Sequence, residues 1–95
     1  MSLRVNLLSN ASTTGVDMAW PGGIGSFICV GTFGGSTVTL QLLGPNDTTY
    51  VNVGIDTTLT ANGGGNFLLP PSKIRALVAG GSPSALYAVA VRQLP

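Results

Sequence analysis

Charged side chains are scarce in this sequence. Only 7% of its 95 residues are charged, and it contains neither histidine nor glutamate, whereas about 25% of an average soluble domain is charged. The apolar fraction is 44% and the mean hydropathy is +0.45, so the chain lacks the apolar-poor, charge-rich composition of a disordered segment. Because a net charge of +1 gives little repulsion between copies, we expect partners to cover much of the surface.

The missing histidine and glutamate remove the side chains most often used in acid–base catalysis. Any pair of catalytic carboxylates would have to come from Asp17, Asp47 and Asp56. Asp47 and Asp56 lie beside turns, where aspartate commonly accepts hydrogen bonds from its own backbone. We therefore expect no catalytic residue and predict that the protein is not an enzyme.

Cofactor, metal and nucleic-acid sites are disfavoured for similar reasons. Cys29 is the single cysteine, so a zinc or iron site lacks ligands, and Asp47 and Asp56 lack the spacing of an EF-hand loop. Within the apolar residues 27–30, Cys29 is expected to be an inert core residue. Four lysines and arginines are too few for a basic patch that binds nucleic acid. We expect no cofactor, no metal and no nucleic-acid partner.

Long apolar runs are also missing. No stretch approaches the roughly 20 uninterrupted apolar residues of a transmembrane helix. Residues 1–12 contain no long apolar run after Arg4, which makes them a poor signal peptide. Neither a membrane partner nor secretion is expected.

What is present is a series of short segments with the two-residue alternation of β-strands, separated by glycine and proline. The clearest is residues 37–43, where apolar and polar side chains alternate: Val38, Leu40 and Leu42 against Thr37, Thr39 and Gln41. The other predicted strands are residues 3–8, 16–20, 24–33, 50–53, 57–60, 73–79 and 85–94.

About eight short strands predict an all-β protein with a single domain, residues 1–95, folded as a small antiparallel β-sandwich or a jelly-roll-like barrel. The Gly34–Gly35 pair predicts a two-residue hairpin between the strands on either side of it, and Gly63 to Gly65 predict a turn. Residues 70–80 also fit helical spacing, but their β-branched side chains and the following glycines favour a strand.

The polar side of residues 37–43 carries hydroxyls and an amide but no charge, and two interpretations of it stay open. In the first, this side binds a partner, which avoids the cost of desolvating ions. In the second, it is a solvated face that is rich in threonine because threonine is a good strand residue. Trp20 is either a core residue or an interface anchor, and the arginines at strand ends either meet an acidic patch or remain solvated. The candidate interface residues are Trp20, Thr37, Thr39, Gln41, Arg75 and Arg92.

Four segments resemble parts of small structural proteins of tailed bacteriophages. They cover about half of the chain and read GTFGGSTVTLQL (31–42), TLTANGGGNFLLP (58–70), KIRALVAGG (73–81) and SPSALYAVAVR (82–92). None of them is a catalytic or ligand-binding motif, so the resemblance assigns no role to an individual residue.

Within that class, the resemblance implies a capsid decoration (cement) protein. Such a protein binds the major capsid protein on the outer surface of the head, commonly as a dimer or trimer, and stabilises contacts between capsid subunits. It would be made in the host cytoplasm and located on the virion surface. The alternative is a tail, head-fibre or head–tail adaptor protein.

Overall fold

The computed structural model of the protein describes residues 3–92. Nine β-strands account for most of them, with a single 3₁₀ turn at Ile55–Thr57. The strands are β1 (Leu3–Ala11), β2 (Met18–Trp20), β3 (Gly23–Thr32), β4 (Thr37–Leu43), β5 (Tyr50–Asn52), β6 (Thr58–Leu59), β7 (Gly63–Leu69), β8 (Ser72–Ala79) and β9 (Ser84–Arg92).

The strands form two antiparallel sheets that enclose one core. Sheet A has the order β1-β9-β3-β7, and sheet B has the order β2-β8-β4-β5, with β6 also pairing with β4. The prediction of an all-β antiparallel sandwich is confirmed, with nine strands in the described part of the chain instead of about eight.

The core lies between the sheets and follows the two-residue alternation of the strands. Each inner strand sends every second side chain inward, and the side chains between them point outward. The fully buried members on these strands are Phe27, Cys29, Val38, Leu40, Ile74, Ala76, Leu86, Ala88 and Ala90. The predicted core position of Cys29 is confirmed.

Trp20 joins the two sheets at one end of the core. It belongs to β2 in sheet B, yet its ring centroid is 5.0 Å from that of Phe67 in sheet A, at an interplanar angle of 55°. A Cβ atom at Gly25 would lie 2.7 Å from Trp20 and 2.8 Å from Phe67. Only glycine at position 25 therefore leaves room for both rings.

The predicted hairpin at Gly34–Gly35 is wrong. β3 lies in sheet A and β4 in sheet B, so this turn carries the chain from one sheet to the other. The Ser36 N–H donates to the Phe33 carbonyl at 2.9 Å, and the two glycines adopt φ angles of 58° and 86°. The glycine pair permits the tight turn, but the pairing of the strands is decided elsewhere.

The predicted turn at Gly63–Gly65 is also wrong, because these residues begin strand β7, where Gly63 pairs with Cys29. The backbone of Asp56 comes so close to Gly65 that a Cβ atom there would clash with it. Residues 72–79 form strand β8, as favoured over a helix. The strand expected at 57–60 is only the two-residue β6, which follows the 3₁₀ turn.

Candidate interaction surface

The outer side of sheet A exposes large apolar side chains to solvent. Among the described residues, five of them lie there with exposed fractions of 41–71%: Ile24, Ile28, Val30, Leu68 and Tyr87. We call these five side chains the apolar face. The solvent-facing side of an antiparallel sheet normally carries polar residues, which alternate along each strand with the apolar residues of the core. The outer side of sheet A instead has the apolar composition of a side that is covered.

Strand register pairs four of these five residues with one another. Ile24 pairs with Leu68 across β3 and β7, and Val30 pairs with Tyr87 across β3 and β9. Directly paired side chains on one side of a sheet have Cβ atoms about 4.5–5.5 Å apart. The apolar face therefore consists of the Ile24–Leu68 pair and the group Ile28, Val30 and Tyr87, with the Ser26–Asn66 pair between them on β3 and β7.

At one point of the apolar face, the residue opposite an exposed side chain is a glycine. Gly64 pairs with Ile28, and a Cβ atom at Gly64 would lie 3.2 Å from Cγ1 of Ile28. The isoleucine side chain thus lies over a position without a side chain of its own.

The same side of sheet A also carries the polar residues Ser26 and Asn66, and Asn6 on β1, which pairs with Val89. The Ser26 hydroxyl donates to Oδ1 of Asn66 at 2.8 Å. In the described part of sheet A, strand alternation places one charged residue on this side. It is Arg4 on the edge strand β1, which pairs with Val91 on β9. The apolar face itself carries no charge.

The outer side of sheet B holds a chain of polar contacts, which we call the polar network. Gln41 donates from Nε2 to Asn52 Oδ1 at 2.8 Å and accepts from Arg75 Nε at 2.9 Å. The guanidinium of Arg75 lies over the Tyr50 ring, 3.7 Å from its centroid. The Tyr50 hydroxyl donates to Asp17 at 2.7 Å, so the network crosses the whole sheet.

These contacts correct the prediction that the polar side of β4 is an exposed surface, although it does face away from the core. Thr39 is 5% exposed and Gln41 is 7% exposed, so neither offers a surface to a partner. Thr39 lies between Leu77 on β8 and Thr58 on β6, and Gln41 is held in the polar network. The idea of a solvated threonine face is equally wrong at Thr39, because its neighbours on both sides cover it.

The remaining four predicted interface residues lie in four different places. Trp20 is 1% exposed and belongs to the core, so it offers no ring to a partner, and its indole nitrogen has no hydrogen-bond partner among the described atoms. Thr37 is half-buried at the start of β4, and Arg75 is half-buried in the polar network. Arg92 is half-buried at the end of β9, and a Cβ atom added at Gly23 would lie 3.3 Å from its Nε. The structure thus brings together only Gln41 and Arg75.

Two titratable groups have pKa values displaced by their surroundings. The hydrogen bond to Asp17 raises the pKa of Tyr50, helped by desolvation and by the negative charge of Asp17 and opposed by Arg75. Burial raises the pKa of the Cys29 thiol to about 11. A raised thiol pKa makes the thiolate scarce near neutral pH and disfavours reactivity.

Sequence reasoning missed the apolar face, although a signal was present. Residues 24–33 carry apolar side chains on both sides, a pattern that predicts a central strand. β3 is central, since it lies between β9 and β7. However, one side packs in the core through Phe27 and Cys29, while Ile28 on the other side remains 41% exposed.

No protein-family model, curated protein or solved structure matches this chain. Within residues 3–92, no three histidine, cysteine, aspartate or glutamate side chains gather into a group that could hold a metal ion. The same residues include no helix long and apolar enough to cross a membrane. The apolar face and the polar network are therefore the two features on which a function can be argued.

Proposed function

We propose that this chain is a structural protein of a tailed bacteriophage particle, and specifically a capsid decoration protein that stabilises contacts between major capsid subunits on the outer surface of the head. The role is one of binding and assembly rather than catalysis. The resemblance of residues 31–42, 58–70 and 73–92 to small phage structural proteins supports the class of particle.

The observation that carries the proposal is the apolar face. Exposed side chains of this size present on the order of 500 Å² of apolar surface, within the range of roughly 300–600 Å² at which the largest patch on a monomer is often functional. An apolar patch of this size on a soluble protein often marks a binding site. In an assembled particle, a partner would cover it.

The scarcity of charge fits the same role. Each ion taken out of water into an interface costs several kcal/mol unless it is paired, and this chain has four cationic and three anionic side chains in total. Many copies that bind the assembled shell and not its free subunits stabilise the shell by mass action. Low charge lets a large part of the surface be buried in that way.

The polar network gives sheet B a rigid outer side. The buried Gln41 and the Tyr50 ring hold Arg75 within the chain, so a partner that packs on this side meets a guanidinium already fixed in place. Preorganisation of this kind reduces the entropy lost on binding.

The copy number of this chain in purified particles tests the proposal. Quantitative gel densitometry against the major capsid subunit should give hundreds of copies for a decoration protein. A dozen or so copies would instead assign it to the tail, a head fibre or a head–tail adaptor. No copies at all would contradict the phage proposal.

The salt dependence of retention on particles separates an uncharged contact from a charged one. Retention that changes little between low and high ionic strength is expected for an interface built on apolar and uncharged groups. A steep loss with rising salt would indicate instead that Arg75 or Arg92 pairs with an acidic patch on the capsid.

A further inference from the structure

We propose that the apolar face is the contact surface between two copies of this chain, which pack sheet A against sheet A around a two-fold axis. This inference rests on the proposed function only for the premise that protein covers the apolar face. It adds the identity of the occupant, a second copy of the same chain.

The apolar area matches what a homodimer needs. A standard interface buries roughly 800 Å² on each partner, and about 65% of a homodimer interface is apolar. The requirement is thus on the order of 500 Å² of apolar surface on each copy. The five side chains of the apolar face supply about that amount. Half-buried Val89 and Val91 lie beside them on β9.

The shape of this surface suits packing against itself. Sheets stack face to face about 10 Å apart with their strands roughly aligned, which is how the two sheets of this chain already enclose their core. Where Ile28 pairs with Gly64, no side chain on β7 stands between this surface and a partner. A two-fold axis needs only one self-complementary surface.

Charge does not oppose the contact between identical copies. Arg4 is the charged residue that strand alternation places on this side within the described part of sheet A, and it lies on the edge strand β1. There its guanidinium can remain at the solvated rim of the interface. The Ser26 hydroxyl already donates to Asn66, so its proton has an acceptor when the surface is buried.

A lipid surface fits these observations less well than a second copy. Segments that bind membrane interfaces combine an apolar side with lysine and arginine residues that meet anionic headgroups. The outer side of sheet A offers Arg4 alone in the part that the structure describes. Vesicle binding is therefore one of the outcomes that would overturn the proposal.

Sedimentation velocity on the purified chain tests the proposal directly. At tens of micromolar the wild type should sediment with twice the chain mass of 9.6 kDa. Leu68→Lys, at the most exposed position of the apolar face, should weaken the dimer at least about tenfold, because it buries an unpaired ammonium group in both copies. Circular dichroism should show that the variant keeps its β-structure.

Val16→Lys is the matched control. Val16 is 75% exposed and lies between β1 and β2, away from the apolar face, so the same charge there should leave the dimer unchanged. If Leu68→Lys does not fold, Ile28→Thr replaces one β-branched residue by another at a 41% exposed position and should also weaken the dimer.

Three results would overturn the inference. They are a wild type that is monomeric at these concentrations, a dimer that neither Leu68→Lys nor Ile28→Thr weakens, and a monomer that binds anionic lipid vesicles through the apolar face.

The proposed function is tested by different results from those that test the dimer. A dimer that is absent from purified particles would contradict the phage role and leave this inference standing, whereas a monomer abundant in particles would do the reverse.

Discussion

The guanidinium of Arg75 lies 3.7 Å from the centroid of the Tyr50 ring, and this contact joins two strands that are not neighbours in sheet B. Arg75 is on β8 and Tyr50 is on β5, with β4 between them. The same guanidinium donates to Gln41 on β4. One arginine therefore links three strands, using its plane for the ring and its Nε for the amide.

Arg75→Lys should lower the stability of the protein. A lysine keeps the charge but cannot both lie flat on the Tyr50 ring and donate from Nε to Gln41. The midpoint of chemical denaturation should fall, and the fall should be smaller in a Tyr50→Val background, because the ring is then already gone. Lys73→Arg, a matched exchange at an exposed position of the same strand, should leave the midpoint unchanged. Equal losses in both backgrounds would show that the ring contact contributes nothing.

Tyr50 should titrate above the usual tyrosine pKa of about 10, because its hydroxyl donates to Asp17. A spectrophotometric titration of the wild type minus that of Tyr50→Phe isolates this group from Tyr87. Asp17→Ala should bring the pKa of Tyr50 back down, since it removes both the acceptor and the negative charge. A Tyr50 titration that Asp17→Ala does not alter would contradict the assigned cause.

The same hydrogen bond should make stability depend on pH at the alkaline end. Folding raises the pKa of Tyr50 above its unfolded value, so the folded state holds its proton more tightly than the unfolded state does. The contribution is complete below about pH 10 and is lost as pH rises through the pKa of the folded state. Denaturation midpoints of the wild type and Tyr50→Phe should therefore converge above that pH and differ by a constant amount below it.

Local alternation was enough to predict much of this fold from the sequence. The buried side chains of β4, such as Val38 and Leu40, were predicted because the two-residue period depends only on neighbouring residues. Strand pairing was beyond that reach. β9, the last strand, lies between β1 and β3, and no turn residue encodes such a pairing over most of the chain length.

The same contrast between local and long-range features holds for the candidate surface. Phe27 and Ile28 are adjacent apolar residues, and the sequence pattern alone does not say that one is buried while the other is exposed. Burial of Gln41 depends on Asn52 and Arg75, which come from two other strands. Features that depend on contacts between distant strands were missed, whereas those that depend on neighbours in sequence were found.

Cys29 should resist thiol reagents in the folded protein. It is fully buried, and burial raises the pKa of its thiol to about 11, so both access and thiolate are scarce at neutral pH. Labelling by a disulfide reagent should be slow in buffer and fast in denaturant. The rate in buffer should follow unfolding of the chain, so a destabilising variant should accelerate it. Rapid labelling of the native wild type would contradict the position assigned to Cys29 in the core.

Gly25→Ala should destabilise the protein by about 1–3 kcal/mol, the usual cost of forcing an extra methyl group into a packed core. The new Cβ atom would lie 2.7 Å from Trp20 and 2.8 Å from Phe67, and both rings are held between the sheets, so neither can move away freely. Gly54→Ala is the control, because a Cβ atom there meets nothing within 4 Å and its φ of 167° is extended backbone that alanine also adopts. That control should be neutral or slightly stabilising, since alanine restricts the unfolded chain. Urea denaturation of the two variants compares them directly, and equal stabilities would mean that Trp20 does not pack against position 25.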